Sequence, residues 1–170
     1  PRVIKLPTTV IFMPITLLGQ WRDELATKAP SLRVLTYHGS CSREMSSIEN
    51  MNANLLEVDV ILASPHKHLP YYLERHCQLH RVVVDECHLK RGPVHALRFD
   101  NYWGLTGTPV QKSLDQLAGV AEILGHWKSG LQLKDKCQGY TATLRGVSDQ
   151  LRKLMIRHTK QMRIGGAAAL

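Results

Sequence analysis

Asp85, Glu86, Cys87 and His88 follow Arg81 and a short apolar run, Val82-Val83-Val84, and carry the clearest chemistry in the chain. Asp85 offers a hard-oxygen metal ligand, and Glu86 beside it is a carboxylate able to orient or deprotonate a water. Three consecutive β-branched residues favour a strand buried on both faces, as in a parallel sheet. Sheets of that kind collect their ligands at the carboxyl ends of strands, where this pair falls. A solvated strand end has the same look, so the motif alone leaves both readings open.

A second cluster, Leu105-Thr106-Gly107-Thr108-Pro109-Val110-Gln111, follows another strand-like run, Asn101 to Leu105. Gly107 permits a tight turn, and the hydroxyls flanking it could bond a neighbouring carboxylate and report on it to a second site. His76, Cys77, His80, Cys87 and His88 invite a zinc reading but lack the paired-knuckle spacing of structural sites.

The elements that must position these residues alternate along the chain. Thr8 to Met13 reads as a buried strand stopped at Pro14. Thr16 could cap the helix that follows, whose face carries Leu17, Leu18, Trp21 and Leu25, making Trp21 a core anchor. Leu32 to Tyr37 and Val58 to Leu62 read as strands, and residues 42–55 as a weakly patterned helix. Ser113 and Gln116 have capping-box spacing before a helical face of Leu114, Leu117, Ala121 and Leu124. Leu151, Leu154, Met155 and His158 share a face of a further helix over 150–160. Strand alternating with helix implies an α/β domain with a mainly parallel sheet covered on both faces.

Composition narrows the class. At 170 residues with 44% hydrophobic content, one domain with a substantial core is the economical reading. No apolar run approaches the ~20 residues that span a bilayer, and no secretory leader pattern is seen. A net charge of +8 favours polyanionic partners. Basic residues continue after Asp149, at Arg152, Lys153, Arg157, Lys160 and Arg163, without any acidic one. Cys41, Cys77, Cys87 and Cys137 form no C-x-x-C pair and read as reduced thiols. The chain opens at Pro1 rather than Met, which suggests a fragment or a processed product.

With both clusters in view, the chain resembles a family. DECH at Asp85–His88 and LTGTPVQ at Leu105–Gln111 are similar to motifs II and III of the SWI/SNF-type helicase-like ATPases of helicase superfamily two. Pro14 to Glu24 resembles the family's P-x-x-L-L-x-Q-W-x-x-E segment, and Val34 to Gly39 its next strand and turn. Asp59 to Ser64 resembles its D-V-V-I-T-T strand, and Leu154 to Lys160 its M-L-R-R-T-K signature. The matches run in family order from about Val10 to Lys160, with LTGTPVQ and the R-x-T-K ending the most specific.

The resemblance implies a RecA-like (P-loop NTPase-type) three-layer fold, with residues 1–164 a partial first helicase ATP-binding lobe and 165–170 a Gly/Ala tail. It implies ATP and Mg²⁺ as cofactors, Asp85 holding Mg²⁺ through a water and Glu86 activating the attacking water. His88, Thr106, Gly107, Thr108 and Gln111 would couple nucleotide state to DNA contacts. Ser64, Lys67 and Lys90, in loops at strand ends, are the candidates for the DNA backbone. Implied partners are double-stranded DNA, possible nucleosomes and a second RecA-like lobe of the same polypeptide, without a membrane. A nuclear location follows for a eukaryotic source, a cytoplasmic one for a bacterial or viral source.

The sequence departs from the family in four respects. It has no G-x-x-x-x-G-K-[ST] loop and no Gly-Lys pair, so nothing in it cradles the β- and γ-phosphates. Motifs IV to VI of the second lobe are missing, and the stretch from His88 to Thr106 is short. Lys112 replaces the common Asn, and His158 the second Arg. The expectation is therefore a fragment, carrying motifs Ia to III, of an ATP-dependent, DNA-stimulated translocase of the chromatin-remodelling or repair type. The alternative is a non-catalytic DNA- or protein-binding remnant of such a lobe. An RNA-sensing DECH-box helicase is disfavoured by LTGTPVQ and the R-x-T-K ending.

Overall fold

Alternating apolar side chains build both faces of one sheet. Val10 and Phe12, Ile61 and Ala63, and Val82 and Val84 enter one core cluster, while Ile11 and Met13, Val60 and Leu62, and Val83 enter the other. The period of two along each strand makes this unavoidable once the strands lie side by side. The computed structural model describes residues 3–38, 57–88, 92–108, 155–156, 163–164 and 167–168.

The strands are β1 (Ile4–Phe12), β2 (Val34–Tyr37), β3 (Val60–Ala63), β4 (Cys77–Val84) and β5 (Arg98–Gly104), all paired in parallel in the order β2-β3-β1-β4-β5. Helix α1 (Leu18–Lys28) lays Leu18, Trp21 and Leu25 against the Ile11 cluster. The short α2 (Tyr71–His76) buries Leu73 in the opposite cluster, beside Val94 and Leu97 at the 3₁₀ turn Gly92–Ala96. The three-layer α/β reading of the sequence therefore holds. No helix among the described residues is long and apolar enough to cross a membrane.

Several boundaries move. β1 and β4 both begin earlier than their β-branched runs, because Ile4, Lys5 and Leu6 pair with Cys77, Gln78 and Leu79. Pro7 lacks an N–H, and the register slips between Leu6 and Thr9, so the proline sits at a bulge in a central strand. Thr16 does not cap α1. A 3₁₀ turn, Ile15–Leu17, runs directly into the helix, and the Leu17 and Leu18 N–H groups find Pro14 and Ile15 carbonyls instead. Met155 and Ile156, expected within a helix, are non-helical and exposed. The other helices expected over 42–55 and 113–124 lie outside the described residues. In the Gly/Ala tail, Ala167–Ala168 (β7) pairs antiparallel with Arg163–Ile164 (β6).

The register is flush at the carboxyl edge. Tyr37, Ala63, Phe12, Val84 and Gly104 are aligned across the sheet. From β1 the chain departs towards β2 and β3, and from β4 it departs the other way, towards β5. The switch point thus lies between β1 and β4, the place where open α/β sheets leave a crevice for ligands. The first residue past β4 is Asp85.

Candidate functional site

Asp85 extends the ladder by one bond, its N–H donating to the Phe12 carbonyl at 2.8 Å. Its carboxylate is held at both oxygens. Trp21 Nε1 donates to Oδ2 at 2.8 Å, and the Glu86 N–H donates to Oδ1 at 2.9 Å. The chain then turns sharply, with Glu86 at φ 49°, the left-handed region that a residue bearing a Cβ seldom occupies. Such backbone costs on the order of 1–3 kcal/mol and is retained where surrounding contacts enforce it. Here the Cys87 N–H donates to the Leu105 carbonyl at 3.0 Å, and the Leu105 N–H to that of Val84 at 2.9 Å. The two turns after β4 and β5 are stitched together by their main chains.

Side chains complete the junction. His88, its side chain wholly buried, places Nδ1 2.6 Å from Thr106 Oγ1 and 3.3 Å from Glu86 Oε2. Thr106 Oγ1 lies 3.4 Å from Glu86 Oε2 and accepts the Thr108 N–H at 3.1 Å. One hydroxyl therefore joins the histidine, the glutamate and the following turn. Glu86 keeps 35% of its side chain exposed, so a carboxylate fixed on one side still faces solvent.

Beneath the junction, Cys87 Sγ would lie 3.0 Å from a Cβ placed at Gly104. The missing Cβ of Gly104 leaves the room that the Cys87 side chain takes. Burial pushes the Cys87 thiol up to about 11, so it acts as a small apolar filler rather than a nucleophile. At Gly107, φ is outside the left-handed region and a Cβ would meet nothing within 4 Å among the described residues. The left-handed backbone of the junction is at Glu86.

Of the expected DNA contacts, Ser64 and Lys67 lie just past the carboxyl end of β3. Ser64 is buried, its Oγ accepting the His66 N–H at 3.3 Å and its carbonyl the Lys67 N–H at 3.2 Å, so it shapes the loop. Lys67 Nζ stands 4.7 Å from the centroid of the Tyr37 ring, which fixes a cation beside this edge. Gln111 and Lys90 lie outside the described residues.

An Asp-Glu-x-His turn at a switch point, tied through a histidine to the Thr-Gly-Thr turn of the next strand, is a particular arrangement. The SNF2-related domain matches the chain over residues 4–162. The chain belongs to this family. Among the relatives of this SNF2-related domain are DNA repair protein RAD5B of Arabidopsis thaliana, 30% identical over 91% of this chain and 14% of that protein, and DNA repair protein RAD5 of Saccharomyces cerevisiae, 25% identical over 92% and 16%. The chain thus spans about a sixth of the length of these relatives. In structure it is similar to the Sulfolobus solfataricus SWI2/SNF2 ATPase core domain, with a TM-score of 0.61 and 22% identity, over 93% of this chain and 34% of that one. The same core solved in complex with dsDNA gives a TM-score of 0.59, also at 22% identity, over 91% and 34%. These likenesses establish a RecA-like SWI2/SNF2 fold for this SNF2-related domain.

Sequence reasoning about this SNF2-related lobe missed one site residue. Trp21 packs where a core anchor should, but its N–H reaches the Asp85 carboxylate. The signal was available in general form: an indole N–H taken from water seeks an acceptor, and the helix after β1 passes close to the end of its neighbour β4.

Proposed function

We propose that this chain is the first motor lobe, carrying motifs Ia to III, of an ATP-dependent, DNA-stimulated translocase of the repair or remodelling type. The carrying observation is the carboxylate pair at the β1–β4 switch point with Glu86 tied to His88 and Thr106. The donor set fits Mg²⁺ in its phosphate-bridging mode, which takes one or two carboxylates plus waters rather than a protein cage. Among the described residues no three His, Cys, Asp or Glu side chains gather to form such a cage. Asp85 would hold the ion, through a water, by the lone pairs its two hydrogen bonds leave open.

Bound Mg²⁺ and ATP would supply the phosphoryl group and neutralise the charge that develops on it. Glu86 would orient a water and accept its proton. Thr106 and His88 keep the Glu86 carboxylate turned to the crevice, so a shift of the Thr106–Thr108 turn would move the base. In this reading the turn couples hydrolysis to DNA held at Lys67 and the neighbouring loop. The loop that cradles the β- and γ-phosphates and the second lobe would come from the remainder of a motor several times longer. The eukaryotic DNA repair relatives support nuclear residence.

The test is DNA-stimulated ATP hydrolysis by the full-length protein. Hydrolysis raised by double-stranded DNA is the expected result. Nucleic-acid binding without any hydrolysis would replace the motor with a non-catalytic binding lobe.

A further inference from the structure

Trp21 is held from two sides, by packing and by a hydrogen bond. Its ring packs with Leu17, Leu18 and Leu25 over Ile11, Met13, Val60, Leu62 and Val83. From that seat its N–H reaches across 64 positions of sequence to Asp85 Oδ2 at 2.8 Å. The other oxygen of the same carboxylate accepts the Glu86 N–H, so donors from two different elements clamp one acidic group. A carboxylate with a single partner can swing about its last torsion; one with a donor on each oxygen cannot without breaking a charge-assisted bond.

We infer that Trp21 is a positioning residue for the Asp85 carboxylate, setting the direction in which its remaining lone pairs meet a divalent cation. The inference rests on the proposed ATPase reading. Mg²⁺ demands near-ideal octahedral geometry, so the orientation of a lone carboxylate decides how well it binds. Donors behind a metal-binding carboxylate typically govern affinity or activity by 10–100-fold. Because the donor sits on α1, helix position and cation affinity are joined by a single bond.

Trp21→Phe in the full-length protein removes the N–H and keeps most of the ring. Two titrations against Mg²⁺ read the result: ATP hydrolysis, and binding of a fluorescent N-methylanthraniloyl ATP. The half-saturating Mg²⁺ concentration should rise about tenfold in both. Leu25→Ala, which thins the same packing without touching the N–H, should lower the thermal midpoint and leave that concentration unchanged. An unaltered Mg²⁺ dependence in Trp21→Phe, or a loss of rate equal at every Mg²⁺ concentration, overturns the inference while leaving the ATPase reading intact. Absence of hydrolysis by the unsubstituted protein overturns both. Should Trp21→Phe fail to fold, Trp21 emission in a Trp103→Phe, Trp127→Phe background is read instead. It should change when Mg²⁺ joins bound nucleotide, and an unchanged spectrum overturns the role.

Discussion

The two halves of the carboxyl edge are built on opposite principles. At the β4–β5 end two carboxylates, a histidine and a threonine hydroxyl are interlocked and set on a backbone strained at Glu86. At the β2–β3 end the feature is a lysine resting on a tyrosine ring, on a loop shaped by Ser64. The first arrangement holds Glu86 through Thr106 and His88 on one side, the kind of positioning that proton abstraction would require. The second fixes only the neighbourhood of a charge, which suffices for a phosphate backbone of uniform chemistry. On the proposed reading, a site for chemistry and a site for a polymer share one sheet edge, and their tolerance of substitution should differ accordingly.

Glu86→Gln should separate the halves most sharply. It keeps the shape and removes the base, so turnover in the full-length protein should fall by about 10²–10⁴-fold while ATP binding and DNA binding persist. Hydrolysis at the normal rate would remove Glu86 from its role. Gly104→Ala tests the close approach beneath the junction. Its Cβ would press on Cys87 Sγ and should cost about 1–3 kcal/mol in a denaturant titration. Adding Cys87→Ala should restore most of that loss; strictly additive effects would show that the contact does not hold the turns together.

At the other half the expected change is smaller. Lys67→Gln should weaken DNA binding a few-fold and reduce the slope of log K against log salt by about one, leaving basal hydrolysis unchanged. An unaltered slope would take Lys67 off the DNA path. The mildest effect concerns the core cluster that Cys77 and Tyr102 share. Burial raises the Cys77 thiol above its ordinary 9.0 and raises the Tyr102 phenol as well. Both groups stay protonated when folded at pH values where the unfolded chain releases protons. The stability they contribute is complete below about pH 9 and is lost as the pH climbs through their raised values. Chemical denaturation from pH 8 upward should show that decline, and Cys77→Ala should lessen it.

How much of this was legible beforehand depends on how far apart the partners lie. The five strands were visible because short β-rich runs and the turn residues that stop them are local signals, and the Asp-Glu pair could be assigned to a strand end from its immediate neighbours. Even Pro7, which hid the first half of β1, had a local reason to mislead, since a proline normally argues against a central strand. The sequence offered Gly107 only as a residue that permits a tight turn, whereas the left-handed residue of the junction is Glu86, held where Cys87 is stitched to Leu105. No propensity scale carries that information.

Sequence alone therefore determined the parallel sheet, the acidic pair at its edge and the order of the motifs, since each depends on residues a few positions apart. Tertiary structure alone decided that Trp21 grips Asp85, that Thr106 links His88 to Glu86, that Lys67 lies over Tyr37, and that Gly104 makes room for Cys87. Those contacts join elements separated by tens of residues. Their geometry follows from how helices and strands stack, which the identity of the individual residues does not specify.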